Sequence, residues 1–210
     1  MTEATRRAGG HLSLYQLTIE PGTRFASDVR RGRLVPLDDD EAAGLFSITQ
    51  SLTEAAGLPA YETSNHARSG EESRHNLAYW RYQDYAGIGP GAHGRRGGVA
   101  TVRHKKPENF LKAVSAQGNG IAEARPLALA EQATEALLMG LRLAEGLDLA
   151  ALSARFGIPR EGLVDEAALA RLRSLGLVWT EGTRIGVAPE GRSLLDALLA
   201  EIVAEALVAA

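Results

Sequence analysis

His11-Leu-Ser-Leu-Tyr-Gln-Leu-Thr-Ile-Glu20, followed at once by Pro21-Gly22, is the stretch on which the fold assignment turns. Leu12, Leu14, Leu17 and Ile19, with β-favouring Tyr15 and Thr18, read as a buried strand that Pro-Gly stops. The carboxyl end of that strand delivers Thr18 and Glu20 to a loop. Upstream, residues 1–10 read as a loose, disordered lead-in. Downstream, residues 22–37 read as a basic, glycine-containing loop carrying Arg24, Arg30, Arg31 and Arg33. Asp38-Asp-Asp-Glu41 then opens a helix that runs to about Ala56, because acidic side chains suit the positive end of the helix dipole. Gly57 fits its C-terminal cap. Ala60-Tyr-Glu-Thr-Ser64 is a short strand candidate, so residues 11–64 read as a βαβ unit. Tyr85-Ala-Gly-Ile-Gly89 and Val99-Ala-Thr-Val-Arg103 are further strand candidates.

From Pro126 the pattern turns helical. Leu137, Leu138, Leu141 and Leu143 fall at helical spacing over 128–143, and Gly146-Leu147 breaks the run. Helices follow over 148–156, ending at Gly157, and over 161–175, ending at Gly176. A hairpin over 177–187 turns at Glu181-Gly182, and a last helix covers 192–208. Helix, helix, helix, hairpin is the order of a winged helix-turn-helix.

The chain has 210 residues, which allows one large or two small domains. It has 23 basic and 26 acidic residues and no Cys, which excludes disulfides, a cysteine nucleophile and a thiolate-held iron–sulfur cluster. No apolar run is long enough to span a membrane, and the amino-terminal residues lack the apolar stretch of a signal peptide. The expected compartment is the cytoplasm. Residues 1–120 hold 15 basic and 13 acidic residues, with all five His and all five Tyr. Residues 121–210 hold 8 basic and 13 acidic residues and no His. Chemistry is therefore expected in the first part, and a helical accessory domain in the second.

Two segments carry the chemical signal. In Gly87-Ile-Gly-Pro-Gly-Ala-His-Gly94, glycine permits positive φ and lets a ligand approach the backbone closely. At a strand end such a loop suits a nucleotide or adenosyl group held by main-chain groups; a sharp turn with unusual φ angles explains the same residues without a ligand. Pro90 is expected to hold Gly89 extended and to expose the peptide groups of 88–92. Ser73-Arg-His-Asn-Leu-Ala-Tyr-Trp-Arg81 gathers polar groups able to bind carboxylates and aromatics able to stack on a planar ligand. Its alternative is a solvated helix and loop with Trp80 as a core plug. The five His show no metal-binding spacing, and His93 stands out because it lies inside the glycine-rich loop. His104-Lys-Lys106 reads as a basic, solvated loop or as a contact for anionic substrate groups.

His11–Thr23, Leu37-Asp-Asp-Asp40, Tyr61-Glu-Thr-Ser-Asn65, Arg74–Arg81, Gly87–Gly94 and Glu135–Asp148 together resemble the second half of the HemW family. These are radical S-adenosylmethionine haem chaperones, also described as oxygen-independent coproporphyrinogen III oxidase-like proteins. The resemblance is collinear over about residues 11–205. It implies an α/β fold in which late strands of a radical S-adenosylmethionine (β/α)6 barrel over 11–120 precede an α-rich, winged-helix-like domain over 125–210. It implies S-adenosylmethionine, haem and a four-iron four-sulfur cluster as cofactors. The family holds that cluster with Cys-x3-Cys-x2-Cys, which this chain lacks, as it lacks the early glycine-rich barrel strand. A truncated reading frame or a split gene is therefore expected, with the other half as a partner encoded upstream, and no catalysis by this chain alone. By the resemblance, Thr18 and the loop residues Gly87, Ile88, Gly89, Gly91, Ala92 and His93 lie at the adenosyl group. Tyr15, Gln16, Arg74, His75 and Asn76 are the candidates for contact with haem or a porphyrin. No residue is assigned as catalytic or as a metal ligand. The competing reading is a winged-helix module that binds nucleic acid or a partner, against which the acidic balance of residues 121–210 argues.

Overall fold

The computed structural model describes residues 2–208 and divides the chain into two compact units, meeting at Glu72/Ser73. In the first unit, the expected lead-in forms a helix, α1 (Thr2–Arg7), in which Glu3 accepts hydrogen bonds from Arg6 and Arg7. Residue 1 of that lead-in lies outside the described residues. Strand β1 (His11–Ser13) pairs antiparallel with β2 (Asn65–Ala67), His11 opposite Ala67. The 22–37 loop contains a helix, α2 (Arg24–Arg30), capped by the Thr23 hydroxyl. Helix α3 (Asp39–Ala55) forms as expected, with Asp38 and Glu41 closing a capping box.

The strand expected to reach Glu20 stops at Ser13. Leu14 still donates to the Ser64 carbonyl at 2.8 Å, but Tyr15, Gln16, Leu17 and Thr18 are exposed. The reason is the partner. Residues 61–65 turn tightly, Tyr61 N–H donating to the Asn65 carbonyl at 3.1 Å, so only residues 65–67 are extended. The parallel βαβ reading is corrected accordingly: strand, helix and strand are present, but the two strands run antiparallel. Leu58 and Ala67 are the buried apolar residues of this unit among the described residues, while Leu45, Ile48 and Leu52 of α3 stay exposed.

The second unit begins with α4 (Arg74–Trp80), capped by Ser73. Strands β3 (His93–Arg96), β4 (Val99–Arg103) and β5 (Ile121–Pro126) form an antiparallel sheet in that order, with α5 (Pro107–Gln117) between β4 and β5. The strand expected over 85–89 reduces to a single bridge between Tyr85 and Arg95, and Gly89 takes a positive φ that ends the extended run. Then come α6 (Leu129–Gly140), β6 (Leu147–Asp148), α7 (Leu149–Phe156), α8 (Arg160–Leu163) and α9 (Glu166–Ser174). The hairpin β7 (Val178–Glu181) and β8 (Arg184–Val187), a 3-10 turn over Pro189–Leu194, α10 (Leu195–Ile202) and α11 (Glu205–Val208) complete the unit. The expected order of helices and hairpin is present. The helices expected over 161–175 and 192–208 are each interrupted, because Val164 and Val203 bridge. Asp165 N–H donates to the Ile202 carbonyl at 2.9 Å and Ala204 N–H to the Leu163 carbonyl at 3.1 Å.

One contiguous core joins α6–α11 and the hairpin, and Tyr82 belongs to it. Tyr82 lies in the left-handed region, φ +52°, which costs a non-glycine residue about 1–3 kcal/mol. Its hydroxyl donates to Glu135 at 2.5 Å, the buried Arg95 guanidinium lies 3.4 Å from its ring centroid, and Arg155 donates to its carbonyl at 3.0 Å. These contacts, with Leu127 N–H donating to the Gly98 carbonyl at 2.8 Å, make residues 73–126 one body with the helices. By packing, the compact boundary lies at 72/73.

Replacing Tyr82 with Ala empties a buried site and should cost about 3–5 kcal/mol in denaturant unfolding of the second unit. Burial, and then the bond to Glu135, push the Tyr82 phenol pKa upward. Below about pH 10 the phenol is protonated in both folded and unfolded chains, so it contributes no pH dependence. Above that range the unfolded chain loses the proton first, so stability should fall as pH rises. In Tyr82→Phe this alkaline fall should be shallower than in the parent chain; identical slopes would show that Tyr82 ionises freely in the folded state.

Candidate functional site

A hollow of about 460 Å³ opens in the second unit, walled by His75, Tyr79, Tyr85, Ala86, Gly87, Ile88, Ala92 and His93. Helix α4 supplies two of these. His75 and Tyr79 are four residues apart and so stand on one helix face. Tyr79 OH and His75 Nε2 are 3.2 Å apart, and the rings meet edge to face at 4.7 Å. Tyr85 continues the wall, its ring 4.3 Å from that of Tyr79. Burial pushes the Tyr85 phenol pKa upward, which keeps that hydroxyl protonated.

The opposite wall is the glycine-rich loop. A Cβ on Gly87 would overlap the His93 carbonyl, and one on Gly94 would lie 2.8 Å from the Gly87 nitrogen. The loop therefore folds back on itself only because both positions lack side chains. Gly89 takes φ +93°, which corrects the extended geometry expected before Pro90. The main-chain cradle is also smaller than expected. Gly91 N–H already donates to the His104 carbonyl at 2.9 Å and Ala92 N–H to the Gly89 carbonyl at 3.3 Å.

Two groups of residues read separately from the sequence meet in this hollow: His75 from one segment, and Gly87, Ile88, Ala92 and His93 from the other. Gly89 and Gly91 shape the loop without lining the hollow. Arg74 is exposed and Asn76 half-buried, the Asn76 amide donating to the Ser73 cap at 3.3 Å. Thr18, Tyr15 and Gln16 belong to the first unit. All three are exposed there, on an irregular stretch and not at a strand end, with the Gln16 amide donating to the Ala42 carbonyl at 2.8 Å.

Tyr85 was legible only as a strand residue, and its place in the wall follows from the bridge to Arg95. The sequence reading also passed over a buried polar knot in the first unit. There Glu62 accepts from the Ser64 amide at 3.2 Å and from the Asn65 side chain, and Asn65 accepts from Ser13. A smaller hollow of about 230 Å³ has Arg81, Glu145, Arg155 and Arg184 in its walls, but these charges have partners. Arg81 forms a two-point pair with Glu145 at 2.8 and 2.9 Å, holding that carboxyl below the usual range, and Arg184 donates to the Glu145 carbonyl at 2.6 Å. No cluster of three or more His, Asp or Glu able to hold a metal ion occurs among the described residues, and none of their helices is long and apolar enough to cross a membrane.

Residues 127–194 match the HemN C-terminal domain. Over 198 residues the chain is 37% identical to the heme chaperone HemW of Mycobacterium tuberculosis, covering 94% of this chain and 48% of that protein. It is 32% identical over 184 residues to HemW of Bacillus subtilis, covering 88% of this chain and 48% of that protein. The mouse mitochondrial radical S-adenosyl methionine domain-containing protein 1 is 41% identical over 145 residues, 65% of this chain and 33% of the relative. In fold, the chain superposes on Escherichia coli coproporphyrinogen III oxidase, HemN, a radical SAM enzyme, with a TM-score of 0.68 at 17% identity, over 95% of this chain and 49% of that one. The chain thus spans about half the length of the relatives it matches. A HemN C-terminal domain, the preceding motifs and near-complete coverage by HemW sequences place the chain in the HemW-like family, as a segment of about half its length.

Proposed function

We propose that this chain holds a tetrapyrrole, haem or a porphyrin, in the hollow between α4 and the glycine-rich loop, and performs no radical chemistry by itself. One observation carries the reading: two imidazoles, His75 and His93, and two tyrosine rings wall a single hollow. Aromatic rings stack on a planar macrocycle, and a neutral imidazole nitrogen is a common axial ligand of haem iron. A relative named as a heme chaperone supports the same class of ligand.

The donor set does not fit the family's iron–sulfur cluster, since the chain has no thiolate to offer. No electron therefore reaches an adenosyl group through this chain. S-adenosylmethionine at the Gly87–His93 loop would be held by few main-chain groups, each worth about 1 kcal/mol net. Its expected affinity is about millimolar at best, on the order of −4 kcal/mol. The partner that goes with this reading is a polypeptide supplying the rest of the family's length. The exposed α3 stripe of Leu45, Ile48 and Leu52 supports that, since monomers seldom leave a regular apolar helix face in water. The expected location is the cytoplasm. A nucleic-acid role is not part of the reading, because residues 121–210 carry 8 basic and 13 acidic residues.

Titration with haem should give a shifted Soret band that saturates near one equivalent. In the double variant His75→Ala, His93→Ala the shift should vanish while far-ultraviolet circular dichroism stays unchanged. A titration identical to that of the parent chain would overturn the assignment. Anaerobic incubation with iron and sulfide should give no charge-transfer absorption of a four-iron cluster, and bound stoichiometric iron and sulfide would contradict the ligand count.

A further inference from the structure

The smaller hollow of the second unit, about 230 Å³, lies between the end of α4, the loop after α6 and helix α7. Gly140, Leu143, Leu147 and Leu152 give it an apolar floor, and Trp80 of α4 adds an aromatic ring. A water molecule takes about 30 Å³ of the liquid, so the space exceeds what one or two waters fill. It falls below the range of a drug-sized ligand, so a small molecule fits it.

Five charged side chains stand in the same walls: Arg81, Arg155, Arg184, Glu145 and Asp148. Their partners differ in kind. Glu145 is taken up by its two-point pair with Arg81. Asp148 caps α7, its carboxylate accepting from the Ala150 and Ala151 amides at 2.9 and 3.2 Å. The bond from the Ala151 amide, first among the causes, holds that carboxyl below its usual range, so it is ionised at neutral pH. Arg155 and Arg184 meet only peptide carbonyls. Arg155 donates to Tyr82 at 3.0 Å, and Arg184 to Glu145 at 2.6 Å and Gly146 at 3.4 Å. All three bonds use Nη2, so the Nε and Nη1 donors of both arginines have no protein acceptor among the described residues. A carbonyl satisfies a donor but cancels no charge, and neither arginine forms an ion pair among the described residues. Three cations against two anions leave one net positive charge over an apolar floor.

We propose that this hollow is a second ligand site, which takes a small organic monocarboxylic acid. Its compact apolar body lies on the leucine floor beside Trp80, and its carboxylate meets Arg155 and Arg184. A guanidinium matches a carboxylate with two parallel donors. The single net charge favours a monoanion over a phosphate ester, which is mostly doubly charged at neutral pH and would face Glu145 and Asp148 with the excess. A ligand of about ten heavy atoms binds in roughly the millimolar range. None of these residues walls the hollow of the tetrapyrrole reading, so the two sites stand or fall separately.

Phenylacetate is the probe, titrated into the full chain at fixed ionic strength and followed by proton–nitrogen NMR. The Trp80 indole and the Gly146 and Ala151 amides should shift and saturate. Phenylacetamide, of the same shape but uncharged, acetate, which lacks the apolar body, and phenyl phosphate should each bind at least about tenfold more weakly. The double variant Arg155→Gln, Arg184→Gln should weaken phenylacetate about tenfold and leave phenylacetamide unchanged. Ala151→Leu, at an exposed position of α7 that lines the hollow, fills the space without altering charge and should abolish binding. Should the arginine variant lose its native spectrum, Ala151→Leu alone decides. The variant His75→Ala, His93→Ala should bind phenylacetate as the parent does, and a parallel loss would put the acid in the other hollow and overturn the proposal. So would equal affinity for phenylacetamide, tighter binding of phenyl phosphate, unchanged affinity in Ala151→Leu, or no saturable shift in the parent chain.

Discussion

Everything that positions the hollow depends on one buried contact group around Tyr82. The ring fills a place in the core of the helical part of the second unit, its hydroxyl reaches Glu135 on α6, and the Arg95 guanidinium of β3 lies over its face. Arg95 is 5% exposed, and a guanidinium removed from water needs compensation. It finds this in the Gln83 carbonyl, the Glu135 carboxylate at 3.7 Å and the faces of Tyr82 and Tyr85. The left-handed backbone at Tyr82 is tolerated because these contacts hold it on several sides. Since α4 lies just before Tyr82 and β3 carries Arg95, the same group sets both walls of the hollow relative to the helices.

The division of labour within the second unit follows from charge. In the helical part, arginines and carboxylates pair with one another: Arg142 with Asp196, Arg160 with Glu166, Arg171 with Glu201. Most of these pairs are exposed and add little stability singly. In residues 73–120, Arg81 and Arg95 are paired in the same way, whereas the exposed Lys105 and Lys106 form no ion pair among the described residues. A family domain boundary at residue 127 and a compact boundary at 72/73 are compatible, because sequence kinship and packing are different criteria. The sheet of β3, β4 and β5 has no large core of its own and takes part of it from α6 through Tyr82 and Leu127.

The first unit presents the opposite situation. Its helix α3 is well capped and regular, yet its Leu45, Ile48 and Leu52 face water, and among the described residues the unit buries few apolar side chains. Burial of apolar surface is the main favourable term in folding, so such a unit gains little by itself. That agrees with a chain spanning about half the length of its relatives.

What the sequence by itself determined here is local. The capping box at Asp38 and Glu41, the stop of α7 at Gly157 and the hairpin over 177–187 depend on side chains and φ angles a few residues apart, and all are formed, the hairpin turning at Gly182-Thr183, one residue later than expected, because Glu181 still pairs with Arg184. The order of helices and hairpin, and the family, were legible for the same reason: spacing and motif survive in one dimension. Tertiary structure alone decided the rest. The stretch 11–20 has the apolar pattern of a strand, but a strand needs a neighbour, and β2 offers only three residues. Tyr85–Gly89 has the same pattern but keeps only the Tyr85 bridge, because the loop folds back so closely that a Cβ on Gly87 would overlap the His93 carbonyl. Helices with unbroken sequence patterns part at Val164 and Val203, where two distant backbones bridge. The meeting of His75 with His93, 18 residues apart and without ligand-like spacing, required the buried contact between Tyr82 and Arg95, since side chains distant in sequence are brought together only by the packing of the elements that carry them.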